Sequence, residues 1–454
     1  MTRSGKILPI LHGLLILSLL PIAGAAADDR LAFGMSMRFR YEWQDNFNQK
    51  YYGEDPGQGE ADDGFLLGRF RAGLDYKPAE KIHLALWLQD SECWDRALPD
   101  SAFYNGKLGM ENNPNQDQWE LWETYLEFVK PADIPLTAKV GRQRIYYGDK
   151  RIFGPGEWGN TGSWLWDAAK LSYLFTAGFV DAYYGRTVVH EPVEFSLNHR
   201  HFYESFGVYG QYSPGAGLFP FVVEPFFMSK RDDHEFYTGE DGGSGNLDSY
   251  YGGFRLSATG LRGFDCALTW VRQFGDYGQD DIRAYGYNGL LAYTWKRVRL
   301  QPRMSVEYSF ASGDADPADT RHETFDGAFG ARDTMYGRMN FFHWMNLRDA
   351  QLNLEIRPRD WIYLKAEFHK FLLAEEKDAW YLNASLYRDK TGRSGDEVGR
   401  EFDLVGKFDL PKGNTVQVGF GHFWPDEFAE SLASGEEANW VFVEWQYSFS
   451  VEIL

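Results

Sequence analysis

The chain has 454 residues, with 46 Lys and Arg against 66 Asp and Glu and a formal charge of −20. So acidic a balance excludes a nucleic-acid partner, which needs a basic face, and two cysteines are too few for a disulfide framework. Aromatic residues reach 17% in a chain that is otherwise polar, a combination met by a barrel whose alternate residues face lipid and water, with aromatic girdles at both interfaces.

Arg3 and Lys6 precede an apolar run from Ile7 to Ile22 and a small-residue site at Ala25-Ala26-Ala27. This is the pattern of a secretory signal peptide over residues 1–27, cleaved before Asp28. Arg3 and Lys6 carry its only formal charges, so the remaining chain has a charge of −22. No later window approaches the roughly 20 apolar residues that a membrane helix needs.

From Arg30 the apolar residues fall on every second position. Leu31, Phe33, Met35, Met37, Phe39, Tyr41 and Trp43 share one face, while Arg30, Ser36, Arg38, Arg40 and Glu42 share the other. The same alternation returns at 298–310, 349–356 and 441–453. Sustained over about ten residues, it is the strand signature of a membrane barrel. It predicts strands near 30–43, 65–76, 81–91, 119–128, 136–147, 168–174, 177–187, 204–212 and 218–228. It predicts nine more near 248–258, 264–274, 283–295, 298–310, 347–356, 361–371, 401–409, 415–424 and 440–453. Short turns such as 77–80, 213–217 and the dipeptide 296–297 alternate with long loops at 44–64, 92–118, 148–167, 188–203, 229–247, 311–346, 372–400 and 425–439. A soluble sandwich also alternates, but it packs its second face. Here that face carries Arg, Glu, Asp and Gln along whole strands, which need water. The fold class expected is all-β: a transmembrane antiparallel β-barrel of about 18 strands over 28–454, with short periplasmic turns and long extracellular loops.

The stretch 119–173 carries more specific patterns. Glu123-Thr-Tyr-Leu126 is followed by Gly141-Arg-Gln143, then Tyr147-Gly-Asp-Lys-Arg151, then Trp166-Asp-Ala-Ala-Lys-Leu-Ser172. A second patch runs His343-Trp-Met-Asn-Leu-Arg-Asp349, with Trp361 to Phe368 and Trp380-Tyr381. With the signal, strand count and loop order, these resemble the alginate export family of Gram-negative outer-membrane porins. The resemblance implies an eighteen-stranded barrel in the outer membrane and, as in the best-known members, an arginine-rich lumen that passes the anionic polysaccharide alginate. The chain departs from the usual barrel ending, closing on Ser-Val-Glu-Ile-Leu454 rather than an aromatic residue.

Arg38, Arg40, Arg69, Arg71, Lys170, Arg299, Arg303 and Lys365 fall on the water-facing parity of their expected strands. Arg142 shares the parity of Val140, so a bulge or a glycine adjustment at Gly141 is expected to turn it inward. Rings of guanidinium select anions in a pore, and the planar fork suits carboxylates. The residues expected to line the pore or bind substrate are Arg38, Arg40, Arg69, Arg71, Glu123, Arg142, Arg144, Asp149, Arg151, Lys170, Arg299 and Arg303. Arg142 and Arg144 are the first choices for a constriction. Against this stands a ladder of structural ion pairs with Glu42, Asp75, Glu123, Asp149 and Glu307, expected to absorb about half the arginines. Trp158, Trp164 and Trp166 either stack on sugar rings or anchor at the membrane interface, with the second preferred for Trp164 and Trp166. The loop 148–167 has the glycines to fold inward.

The expected function is an anion-favouring channel for an acidic polysaccharide, with uptake of small acidic solutes or oligosaccharides as the alternative. A barrel-rim hydrolase is disfavoured: there is no Gly-x-Ser-x-Gly elbow and no Cys/His metal spacing, and His190, His199, His201, His343 and His369 read as polar fillers. No cofactor and no metal site is expected; acids at 45–63 and at Asp314, Asp316 and Asp319 leave Ca²⁺ in outer loops as an option. The partners expected are outer-membrane lipid and lipopolysaccharide, the acidic polysaccharide and, for export, periplasmic complex proteins. Cys93 and Cys266 stay unassigned.

Overall fold

The period-two segments join into one sheet that closes on itself. The computed structural model describes residues 30–454, apart from 54–60, 163, 198, 216–220, 240, 317 and 383–384. The expected signal peptide and Glu54, Asp55 and Glu60 of the first acidic loop lie outside the described residues. The wall runs β1 (Arg30–Asp45), β2 (Asp63–Ala79), β3 (Ile82–Trp94), β4 (Asp117–Val129), β5 (Leu136–Arg144) and β6 (Leu165–Phe175). It continues through β7 (Gly178–Val188), β8 (His201–Tyr212), β9 (Val222–Thr238), β10 (Ser244–Leu261), β11 (Phe264–Tyr277) and β12 (Asp280–Thr294). It ends with β13 (Arg303–Ala311), β14 (Leu347–Arg359), β15 (Ile362–Leu373), β16 (Glu397–Leu410), β17 (Asn414–Pro425) and β18 (Ala438–Glu452). Each strand pairs antiparallel with its neighbours in sequence, and β18 returns to β1 from Ala32↔Glu452 to Asp45↔Asn439, which closes the ring and removes both sheet edges. The two-residue piece Arg321–His322 adds a short parallel bridge beside β12. Among the described residues no helix is long and apolar enough to cross a membrane; the crossing is made by strands.

The outer face keeps the predicted parity. Phe39, Tyr41 and Trp43 are 41%, 49% and 42% exposed, whereas Arg38 and Arg40 on the alternate positions are 4% and 1% exposed. Leu171, Tyr173, Val208, Trp270, Val306 and Leu354 continue the exposed apolar belt around the ring, which in water would be an aggregation surface and in a bilayer is the lipid contact. On the inside, Trp87 lies flat over the paired Gly34 and Gly73. A Cβ on either glycine would stand 2.4 Å from the indole, so these positions admit no side chain. Cys93 on β3 and Cys266 on β11 are both free thiols.

The strand boundaries differ from expectation in two places. β9 extends to Thr238, ten residues past its expected end, so much of the expected loop 229–247 is a tall hairpin with β10. The expected strand 298–310 begins only at Arg303. Pro302 has no amide hydrogen to give the ladder; its carbonyl accepts from Trp295 N at 3.0 Å and closes a turn in which Leu300 and Gln301 have positive φ. Arg299 therefore lies exposed in a periplasmic turn, not on a strand.

Candidate functional site: two inward loops and a vestibule

The largest group of buried apolar side chains lies inside the barrel. It includes Phe153, Trp166, Phe226, Phe325, Phe329 and Phe341, contributed by the wall and by two loops that fold into the ring. The first loop joins β5 to β6. The second joins β13 to β14. They meet along Phe153↔Phe329, a parallel bridge in which Gly154 N donates to Phe329 O at 3.1 Å and Phe329 N to Ile152 O at 3.2 Å.

The first loop has no regular structure between 157 and 162, and buried carbonyls there need donors. Side chains supply them one by one. Arg38 donates to Glu157 O at 2.9 Å and to Gly159 O at 3.0 Å, and Arg40 donates to Trp158 O at 2.7 Å. Arg69 adds a bond to Gly159 O at 3.3 Å. Ser91 reaches Asn160 O at 3.2 Å, Gln89 reaches Thr161 O at 2.8 Å, and His190 Nε2 reaches Gly162 O at 2.8 Å. Six consecutive carbonyls are thus satisfied by side chains from β1, β2, β3 and the segment after β7. Asn160 is the pin of this loop. It is fully buried, accepts from Arg38, and its amide lies within 3.1 Å of the carbonyls of Gly68, Glu92 and Asn115. Trp158 lies under the Arg40 guanidinium, 3.6 Å from ring centroid to Cζ, and packs on Trp440 and Phe442.

The second loop is held by acids. Glu401 Oε1 accepts from the amides of Arg338 at 2.6 Å and Met339 at 3.0 Å; Asp403 accepts from Arg338 N at 3.3 Å; and the Arg338 side chain pairs with Glu367. Further along, Asp326 N donates to Gln273 at 2.9 Å and its carboxylate meets Lys230, while Trp344 Nε1 donates to Phe310 O at 2.9 Å. Between the loops lies a cavity of about 430 Å³. Its lining includes Trp158, Trp164, Arg332, Arg338, Asn340 and Trp440. Water reaches Arg332, whose Nη1 stands 3.1 Å from His343 Nδ1.

The ring closes with eighteen strands and carries a long inward loop between its fifth and sixth, and the sequence profile described as alginate export matches residues 29–443. The chain belongs to the alginate export family. No curated protein matches it significantly. Among solved structures it is similar in fold to OccAB2 of Acinetobacter baumannii, with 10% identity and a TM-score of 0.58, covering 94% of this chain and 100% of that one. It is similar also to OccK3 (OpdO) of Pseudomonas aeruginosa, with 11% identity and a TM-score of 0.56, covering 94% and 97%. At that identity the likeness is one of fold. As a member of the alginate export family the chain is a channel of the outer-membrane barrel type and not an enzyme.

Within this alginate-export barrel the predicted site residues separate into groups. Arg38, Arg40, Arg69 and Arg71 do face inward. The first three hold loop carbonyls; Arg71 donates to Gln89 at 2.6 Å and lies 3.7 Å over the Trp122 ring. Arg40 also pairs with Glu42 at 2.8 Å. Arg144 reaches Glu123 at 3.0 Å and Glu157 at 3.2 Å. Arg151 is buried in the first loop between Asp149, Glu307 and Ser309, beside Tyr336 and Trp344. Lower in the wall, Lys170 meets Asp181 at 3.2 Å, and Arg303 meets Asp265 at 3.3 Å and Glu355 at 2.6 Å. Lys365 pairs with Glu367 at 2.6 Å. The expected ion-pair ladder is present at Glu42, Glu123, Asp149 and Glu307, while Asp75 is held instead by His83 and Trp87.

Three expectations are corrected. Arg299 stands in the turn. Arg142 does not point into the lumen: no register shift occurs at Gly141, so Arg142 opposite Asp167 keeps the outward face of Val140 and Ala169. Gly141 has φ +125°, yet a Cβ there would meet Thr124 O at 2.5 Å; the glycine allows close strand contact without a bulge. Arg142 is buried in the wall by a two-pronged pair with Asp167, both bonds 2.8 Å, and by Leu121 O and His199. Trp164 and Trp166 are not interfacial anchors: both pack against Phe329 inside the ring, and Trp166 is 2% exposed. Of the option for Ca²⁺ in the acidic loops, Asp314 instead accepts from the backbone of Asp316 and Glu323, and Asp319 from that of Arg321.

Arg332, Arg338 and Asn160 were not among the predicted residues. A signal for the second loop does exist: Phe325, Phe329, Tyr336, Phe341, Phe342 and Trp344 crowd a stretch assigned to solvent. So many aromatics in a loop mean that the loop packs. Nothing local distinguishes Asn160, whose partners come from four distant segments.

Proposed function

We propose that the chain passes acidic saccharides and holds them in short segments in the vestibule between its two inward loops. The observation that carries this reading is the lining of the cavity, where the water-exposed Arg332 stands among Trp158, Trp164 and the amide of Asn340. A guanidinium binds a carboxylate through two parallel hydrogen bonds. Indole faces offer flat apolar surface to a pyranose ring, and carboxamides both donate to and accept from hydroxyls. A volume of about 430 Å³ falls within the roughly 300–1,000 Å³ of small-ligand sites. The family description supports uronate as the acid. It also favours a second reading, export of an extended polyuronate, in which the first loop is displaced and periplasmic proteins deliver the chain at the short turns.

Single-channel recording in planar bilayers tests the proposal. Oligouronates of two to four units are expected to block the current for longer than neutral oligosaccharides of the same length. Arg332→Glu is expected to shorten that residence about tenfold, the equivalent of ~1.4 kcal/mol, and to lower the anion-to-cation permeability ratio. Equal residence for charged and neutral sugars, or no response to Arg332→Glu, rejects it. Translocation of long polyuronate with no block by the short forms selects the second reading.

A further inference from the structure

Next to the carbonyl of Gly162, four titratable side chains meet within the wall: Asp117 and Glu120 from β4, and His190 and His199 from the segment between β7 and β8. Asp117, Glu120 and His190 each bring one ligand atom within 4.8 Å of the other two. Both carboxylates are fully buried.

Hydrogen bonds made away from the cluster determine which atoms face it. Arg142 Nη1 lies 2.9 Å from His199 Nδ1. A guanidinium only donates, so His199 carries its proton on Nε2 and gives it to Glu120 Oε2 at 3.0 Å. His190 Nε2 lies 2.8 Å from the Gly162 carbonyl, which only accepts. That nitrogen is therefore protonated, and Nδ1 turns toward Glu120 Oε1 and, at 3.9 Å, Asp117 Oδ2. Gln89 donates to Asp117 Oδ2 at 2.5 Å, while Asp117 Oδ1 is buried with no hydrogen-bond donor among the described residues. Two carboxylates and an imidazole nitrogen thus converge. The outward hydrogen bonds that orient metal ligands are already made: a carbonyl on the histidine, an imidazole and an amide on the acids.

We propose that Asp117, Glu120 and His190 bind one divalent transition-metal ion, zinc being the best match. One nitrogen and two carboxylate oxygens are ordinary zinc donors, and the two carboxylates balance its charge. Calcium asks for six to eight oxygens, more than three side chains of this kind supply. The ion ties β4 to the segment 189–200 and, through His190 and Gly162, to the end of the first inward loop. It is a lock on that loop, placed where the pairing of β4 with β5 stops at Thr124↔Arg142.

The test uses the full barrel, purified in detergent, stripped with chelator and titrated with Zn²⁺. One zinc per chain by elemental analysis is expected, with a rise in Tm; Co²⁺ in its place gives a visible absorption band, and zinc-edge X-ray absorption reports one nitrogen ligand among oxygens. Asp117→Asn, nearly the same shape, and His190→Ala are expected to lose stoichiometric uptake, while His422→Ala, remote from the cluster, keeps it. Folding of each variant is checked by heat-modifiable migration. Wild-type protein that takes up no zinc above background, or variants that take up as much as wild type, overturns the proposal and leaves a proton between His190 and Glu120. If neither variant folds, the wild-type stoichiometry and absorption edge decide alone.

Discussion

Two sectors of the inner wall hold the two inward loops by opposite means. On β1 and β2 the wall is cationic, and Arg38, Arg40 and Arg69 donate to loop carbonyls. On β15 and β16 it is anionic, and Glu367, Glu401 and Asp403 accept from loop amides and from Arg338. A loop without regular structure leaves both carbonyls and amides without partners, and a charged wall satisfies whichever kind the loop turns toward it. The comparison teaches that luminal arginine has two uses. Arginines set into the wall grip the constricting loop. Arg332, the arginine proposed to meet solute, is carried by a loop and is exposed.

The difference between the sectors can be broken from either side. Arg40→Ala is expected to have the largest effect. It takes the guanidinium from Glu42, Glu444 and the Trp158 carbonyl, leaving Trp440 Nε1 on Glu42 and Arg38 beside Glu444, and losing one partner from a buried pair costs about 3–5 kcal/mol. Urea titration of folding into lipid vesicles measures that loss, and bilayer recording is expected to show a larger, noisier conductance as the first loop comes free. Glu401→Ala is expected to cost less, about 1–3 kcal/mol, because it removes the acceptor for two backbone amides while Asp403 stays beside Arg338. Its conductance change is expected to trace to the second loop and to leave the first in place, a distinction that cysteine cross-linking across Phe153 and Phe329 reads directly. Arg299→Ala is expected to do least. An exposed turn residue changes stability by under about 0.5 kcal/mol, and ion selectivity is expected to match wild type; a selectivity shift would return Arg299 to the pore.

Much of the barrel was legible in the chain. Alternation placed Phe39, Tyr41 and Trp43 on lipid and Arg38 and Arg40 inside, because strand geometry fixes parity locally. Even there it failed at Arg299, where the absent amide of Pro302 ended the strand early. It failed also at Arg142, where Gly141, read as a bulge or a glycine adjustment, takes a positive φ in a close strand contact and leaves the register unshifted. The ion pairs of Glu42, Glu123, Asp149 and Glu307 were named in kind, since acids and bases on one luminal face must find each other.

The sequence by itself determined the wall: how many strands, which face is greasy, which ends are short, and which family it belongs to. The wall follows from a period of two and from turn residues, and the family from the motifs of 119–173 and 343–381, all properties of neighbours in the chain. Only the tertiary structure decided what fills the ring. The contacts of Asn160 with Gly68, Glu92 and Asn115, of Phe153 with Phe329 and of His190 with Glu120 join segments with no shared pattern. They form because buried main-chain groups take whatever partner closure of the barrel brings within reach.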